Sequence, residues 1–278
     1  MALHLPINAE CNIQCVFCSS AGRTEDFSVP RLLALVDADT TGHVQVSGGD
    51  PLLRDPAELL AILAHIKKRR KVIELQTNAV LVRQYDPARF KLIAKLVDFF
   101  NVNFSAHTPE LDLAVTGAPE GFVRRVESVR YMLSLGTPVR LTYIVHKLNV
   151  AHCADFVDFV ARDLPGVAWV QFSYVKGMGR AKGNDAIIPR FEEAAGPLNA
   201  AMDRLQALGL RYEVDHIPAC FVRGHLDQHV DYRKMRAAKP GIHLSEKQKT
   251  AECDGCSLKE HCPGPRRDYV EVYGGLRA

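Results

Sequence analysis

Strand-like and helix-like segments alternate about six times over the first 190 residues, and this rhythm restricts the fold more than any other feature of the chain. LHLPI (3–7), HVQVS (43–47), KVIELQT (71–77), DFFNVNFSA (98–106), PVRLTYIV (138–145) and VAWVQFSYV (167–175) are short runs rich in Val, Ile, Phe and Tyr, as strands are. Between them, DPAELLAILAHIKKRR carries Leu59, Leu60, Ile62, Leu63 and Ile66 as one apolar stripe behind an Asp-Pro start. NVAHCADFVDFVARD spaces Cys153, Phe156, Val157 and Val160 at i, i+3, i+4 and i+7, with Asn149 as a candidate cap. Such alternation calls for parallel strands joined by right-handed crossovers, in a barrel or an open doubly wound α/β sheet. A helix over 190–208 and a strand at 210–215 continue it. From 216 the periodicity fades. The expected division is a core over 1–215 and a small, loop-rich module over 216–278.

Bulk properties exclude several classes. A chain of 278 residues can bury a substantial core, and 47% apolar with 24% charged residues is ordinary for a globular protein. A net charge of +3 is too mild to imply a nucleic-acid or membrane partner. No apolar run approaches the roughly 18 residues of a membrane span, and the N-terminus lacks the charged and apolar regions of a secretion signal. Eight cysteines in such a chain point to metal or redox chemistry in a reducing, cytoplasmic compartment.

Three of them, Cys11, Cys15 and Cys18, have C-x3-C-x2-C spacing in the loop after the first strand. In an α/β barrel that is the face where active sites collect. Three thiolates suit an iron–sulfur cluster with one iron left unligated by protein, open for chemistry. Structural zinc with a distant fourth ligand, or reduced thiols without a role, are the plain alternatives. At the end of the second strand stands VSGGDPLL (Val46–Leu53), whose Gly48 and Gly49 allow a close backbone approach.

Together these stretches resemble the radical S-adenosylmethionine (SAM) superfamily. Its hallmark is the C-x3-C-x2-C loop with an aromatic residue, here Phe17, before the last cysteine. A Gly-Gly-Glu-Pro stretch is the companion, here Gly48-Gly49-Asp50-Pro51, with Asp50 keeping the charge but shortening the reach. LQTNAVL resembles the strand-three Thr-Asn-Gly, with Thr77 and Asn78 in place and Ala79 replacing the glycine. NFSAHTPELDLAVTGAPEGF resembles the strand-four segment that meets SAM, with Ser105 as the match. Arg140 and Thr142 lie where the family places contacts to SAM's carboxylate, and QFSYVKGMGRA resembles the strand-six end beside the adenine. Over residues 3–190 the resemblance implies a partial (β/α)6 TIM-like barrel. It also implies a [4Fe–4S] cluster on Cys11, Cys15 and Cys18 that binds SAM. Reductive cleavage would give a 5′-deoxyadenosyl radical that takes hydrogen from the substrate, and the protein would supply binding and orientation. An electron carrier of the ferredoxin kind would need neither the barrel nor the glycines.

The C-terminal module places Cys253, Cys256 and Cys262 as C-x2-C-x5-C, with Cys220 upstream. Four thiolates would close a second, auxiliary [4Fe–4S] cluster, resembling the short "twitch" extension of radical SAM enzymes. Structural zinc is the alternative, held by the four cysteines or with His225, His229, His243 or His261 standing in for one. A closed cluster favours electron transfer over ligation of substrate. Cys153 reads as core. The KKRRK run (67–71) reads as a solvated helix end, and the lack of aromatic interleaving counts against RNA. His107 is a candidate for the cavity lining, while Tyr143, Tyr174 and Arg180 lie near the mouth without an assigned role. The auxiliary module makes a peptide the expected substrate. A small metabolite or cofactor precursor is the alternative, followed by an RNA nucleoside. The expected partners are an external electron donor such as flavodoxin or ferredoxin and a separate leader-peptide-binding protein.

Overall fold

The computed structural model describes residues 2–25, 27–239 and 242–276. One sheet holds β1 (Leu3–Pro6), β2 (His43–Ser47), β3 (Val72–Thr77), β4 (Phe99–Asn103), β5 (Val139–Val145), β6 (Trp169–Tyr174) and β7 (Tyr212–Asp215) in that order. Each strand is parallel to the next. The seventh joins the same sheet, so the partial barrel is one strand wider than the six-strand expectation. Among the described residues β1 and β7 do not pair, which leaves the barrel open there.

The crossovers are α1 (Val29–Ala38), α2 (Pro56–Lys68), α3 (Pro87–Leu96), the pair α4 (Pro109–Thr116) and α5 (Gly121–Ser134), α6 (Cys153–Asp163) and α7 (Phe191–Ala207). α2 starts where Asp55 accepts from the N–H groups of Ala57 and Glu58, with Pro56 at a position that needs no donor. Its stripe of Leu59, Ile62, Leu63 and Ile66 is buried, as is Cys153 on α6. The basic run that follows α2 is not wholly solvated. Lys71 is 8% exposed, and its ammonium donates to Asp39 O, the Asp39 carboxylate and Thr41 O at 2.6 Å each. It fastens the β2 entry to the β3 entry.

Strand composition sorts into two faces. Val44, Val46, Ile73, Leu75, Phe100, Val102, Leu141, Val170, Phe172 and Val214 are buried in the hydrophobic core. The residues between them are Gln45, Ser47, Glu74, Gln76, Asn101, Asn103, Thr142, Gln171, Ser173 and Asp215. With a period of two, these point to the opposite face. His4 of β1 and Asp215 of β7 line one cavity, so the sheet curls round its polar face.

Arg125 of α5 ties this frame to the functional loops. Buried at 1% exposure, it donates to Asn78 O at 3.1 Å, to Asn103 O and to Asp112, and its guanidinium lies 4.4 Å over the Phe104 ring. Beyond β7, α8 (Val230–Arg236) and α9 (Arg267–Tyr273) are set among short 3-10 turns. α9 stacks Tyr269 on Phe191 at 3.7 Å, and Asp268 accepts from Gly177 N at 2.9 Å. Replacing Arg125 by Met leaves Asp112 buried without its counter-charge, so urea unfolding should show a loss of about 3–5 kcal/mol.

Candidate active site

The cysteine loop is held from three sides. Toward β2, Gly49 N donates to Asn8 O at 3.0 Å, Asp50 N to Glu10 O at 2.7 Å, and Asn8 Nδ2 to Asp50 O at 2.8 Å. A methyl group on Gly49 would lie 1.7 Å from Glu10 O, and one on Gly48, whose φ is +133°, 2.3 Å from Asn8 O. Both glycines are therefore required by the loop's own backbone as well as by any ligand. Toward α4, Gln14 N and Val16 N donate to Thr116 O and Val115 O. Toward the segment after β6, Arg180 N donates to Cys18 O at 3.0 Å and its guanidinium to Cys15 O at 3.2 Å. Gly179 sits at φ +56°, with room for no Cβ against Cys18 O. Arg180, unassigned from sequence, is thus a brace of the cysteine loop.

Cys11, Cys15, Cys18 and Phe17 line a cavity of about 510 Å³ together with Gly48, Gly49, Thr77, Asn78, Arg140 and Thr142. Burial pushes the Cys15 thiol up to about 12 and raises that of Cys11. Such thiols are poor free nucleophiles, and coordination to a metal is what removes their protons. Asn78 donates to Asn12 Oδ1 at 2.8 Å and to Cys11 Sγ at 3.6 Å, a sulfur contact from the end of β3. This donor set fits a cluster held by three cysteines.

Two expected SAM contacts, Asp50 and Ser105, lie outside the cavity lining, while the third, Arg140, is in it and paired with Glu74. Asp50 is 1% exposed, and its carboxylate is consumed by Leu52 N, Thr77 Oγ1 and Asn78 N at 2.8–3.1 Å. The shorter side chain turns inward and orders the β2 and β3 ends instead of reaching the cavity. Ser105 is likewise buried outside the cavity lining, where its Oγ accepts from Ile144 N at 2.9 Å. Arg140 lies on the second residue of β5, near the barrel floor, paired with Glu74 and placed over the Phe99 and Trp169 rings. Its charge is compensated there. Burial alone would raise the Glu74 carboxyl, but hydrogen bonds from His43 and its other neighbours and the Arg140 charge bring it down to about 2. Ala79 has φ +66°, the conformation that favours the glycine it replaces.

The far wall was missed from sequence. Gln171 donates to Asp215 Oδ2 at 2.7 Å, while Asp215 Oδ1 and His216 Nδ1 are buried without a partner in the cavity lining. His216 holds φ +64°, an uncommon state for a residue with a Cβ. Burial raises the Asp215 carboxyl and lowers the His216 imidazole well below its ordinary value. Lys176, Glu246, His243 and Arg266 form an ionic network that brings the C-terminal module to the cavity edge. The available signal was the polar residue at every second strand position. Parallel strands covered on both faces are near-continuously apolar, so an alternating parallel sheet must face water or ligand on one side.

Of the remaining candidates, Tyr143 is core, donating to Asn149 O at 2.8 Å, and Tyr174 donates to Pro189 O at the cavity edge. His107 lies outside the cavity lining, against His152. In the C-terminal module no disulfide joins the four cysteines, and burial followed by the neighbouring Cys262 and Cys256 raises Cys220 to about 11. Both ring nitrogens of His229 are engaged, by Ile217 O and Tyr232 N, and His225 is held by Tyr212 and Asp203. His243 pairs with Glu246. His225 and His229, with both ring nitrogens engaged, are committed away from the role of a zinc ligand, and His243 lines the barrel cavity.

A parallel barrel with three cysteines and a glycine pair at the C-terminal ends of its strands defines a class, and residues 5–160 match the radical SAM superfamily. The chain belongs to that superfamily and is a radical SAM enzyme. A "Probable GTP 3′,8-cyclase" of Methanothermobacter thermautotrophicus is 28% identical over 169 residues, 57% of this chain and 53% of that protein. One from Pyrobaculum aerophilum is 32% identical over 137 residues, 45% of this chain and 41% of that protein. The chain spans about half the length of the curated relatives it matches. In fold it resembles Streptococcus suis SuiB bound to S-adenosylmethionine, with a TM-score of 0.71 at 13% identity over 100% of this chain and 76% of that one. It also resembles anSMEcpe with bound AdoMet and a Kp18Cys peptide, with a TM-score of 0.71 at 12% identity over 96% and 89%. At these identities the likeness is one of fold. Among the described residues no helix is long and apolar enough to cross a membrane.

Gly49→Ala should abolish iron uptake at the N-terminal cysteines. Iron content after anaerobic reconstitution, compared with Cys18→Ala as the reference for a lost ligand, checks this.

Proposed function

We propose that this enzyme acts on a small polar metabolite or cofactor precursor, the purine nucleotides of its curated relatives being the first class to test. The observation that carries the reading is the polar inner face of the sheet, which ends in the unpartnered Asp215 and His216 atoms across the cavity from the cysteine loop. Pockets of this size hold small molecules, and a few convergent polar groups set their orientation. The peptide reading rests on the C-terminal cysteines and on neighbours alike in fold alone, so it stands second.

The implied cofactors, the three-cysteine [4Fe–4S] cluster and SAM, supply radical hydrogen abstraction when bound. This chain's own residues do the rest. Cys11, Cys15 and Cys18 are the ligands, while Gly48, Gly49, Thr77, Asn78 and Thr142 offer backbone and polar contacts to SAM. Ile13, Phe17, Ile144 and Met178 give the cavity an apolar lining near the cysteines, limiting water around a reactive species. Gln171, Asp215, His216 and Lys176 would orient the substrate. An external one-electron donor of the flavodoxin or ferredoxin kind completes the system.

The test is anaerobic 5′-deoxyadenosine formation with SAM and a reductant, in the presence of GTP, other nucleoside triphosphates, an ultrafiltered metabolite extract, or the retained peptide fraction. Stimulation by a small-molecule fraction, lost in Asp215→Asn, is expected. Stimulation by the peptide fraction alone would overturn the reading.

For the module over 216–278 we propose a second [4Fe–4S] cluster on Cys220, Cys253, Cys256 and Cys262, supported by four cysteines in one module and by the commitment of His225 and His229 to other partners. Cys256→Ala should lower iron and sulfide by half and spare SAM cleavage while product formation fails. Loss of zinc with iron unchanged would assign the module a purely structural ion.

A further inference from the structure

The segment after β4 and the segment leading into α6 meet on the barrel rim, where buried Asn149 fastens them. Its side chain donates to Ser105 O at 2.9 Å and Ile144 O at 2.8 Å, and accepts from His146 N at 2.8 Å. Two residues beyond Ser105 stands His107, and three beyond Asn149 stands His152. Their ring centroids are 5.1 Å apart. Asp155, in the first turn of α6, completes the group, with Oδ2 2.9 Å from His152 Nδ1 and 3.9 Å from His107 Nε2. One ligand atom from each residue lies within 4.8 Å of the other two.

We propose that His107, His152 and Asp155 form a binding site for a divalent transition-metal ion, independent of both cysteine groups. Two imidazoles and a carboxylate are a donor set that zinc, nickel, cobalt and ferrous iron accept, whereas the cysteines suit iron–sulfur chemistry. Metal–ligand bonds of 2.0–2.2 Å place tetrahedral ligands about 3.3 Å apart. The separations from Asp155 lie on either side of that value, so small side-chain rotations close the site. No hydrogen bond to His107 Nδ1 has to break for them, since that atom is without a partner. Asp155 is 56% exposed, leaving the remaining coordination positions to water. A bound ion would clip together the outer ends of β4 and β5, the strands that bring Asn101, Asn103 and Thr142 to the cavity.

Anaerobic calorimetric titration of Zn²⁺ into reconstituted holoenzyme tests this with the cluster cysteines already engaged, and Co²⁺ absorption reports the donor type. One equivalent of ion should bind, with a cobalt spectrum free of thiolate charge transfer. His152→Ala and Asp155→Ala should each weaken binding by at least about tenfold with iron content unchanged. His152 is half-buried and Asp155 exposed, and circular dichroism should show both variants folded. Absence of binding, unchanged affinity in both variants, or a thiolate-type cobalt spectrum would each overturn the proposal.

Discussion

The backbone contact between Gly48–Asp50 and Asn8–Glu10 is the constraint on which the site depends. It draws the end of β2 against the entry of the cysteine loop at distances that exclude any Cβ. From it follow the inward turn of Asp50, the hydrogen bonds that Asp50 collects from Thr77 and Asn78, and the reach of Asn78 toward Asn12 and Cys11. Arg125 then holds Asn78 from behind through its carbonyl. Three strand ends and one loop are thereby a single cooperative unit, in which the cysteines line the cavity and the carboxylate is the hidden support.

The barrel's two faces divide the work. Aliphatic and aromatic residues fasten the sheet to its helices and contribute the hydrophobic driving force. The opposite face carries amides, hydroxyls and charges that pair across neighbouring strands, such as Glu74 with Gln45, Asn101 and Arg140. At the floor Glu74 gathers several of these donors onto one carboxylate, although Arg140 Nε stays buried without a hydrogen-bond partner. At the β7 end Asp215 Oδ1 and His216 Nδ1 are also buried without a partner in the cavity lining, and such groups gain most from an added hydrogen bond. The C-terminal module adds Glu246, which gathers Lys176, His243 and Arg266 along the cavity edge.

Much of the fold was legible. The six-fold rhythm, the position of the cysteine loop and the burial of Cys153 followed from periodicity, because local patterns of 2 and 3.6 residues survive in the chain as written. The burial of Asp50 and Ser105 outside the cavity lining and the pairing of Arg140 with Glu74 did not, since each is decided by which strand lies beside it. The same holds for Lys71, whose run of like charges reads as solvent-facing until Asp39 and Thr41 are brought beside it.

By itself, then, the sequence determined the class of chemistry and the parallel α/β frame. Three thiols at fixed spacing and two adjacent glycines are local requirements that few other uses satisfy. Tertiary structure alone decided which polar side chains face the cavity, that β7 carries Asp215 and His216 to its far wall, and that His107 meets His152 and Asp155 at the rim. Those residues are far apart in the chain or on different strands. Their chemistry arises from register and curvature, which no single segment encodes.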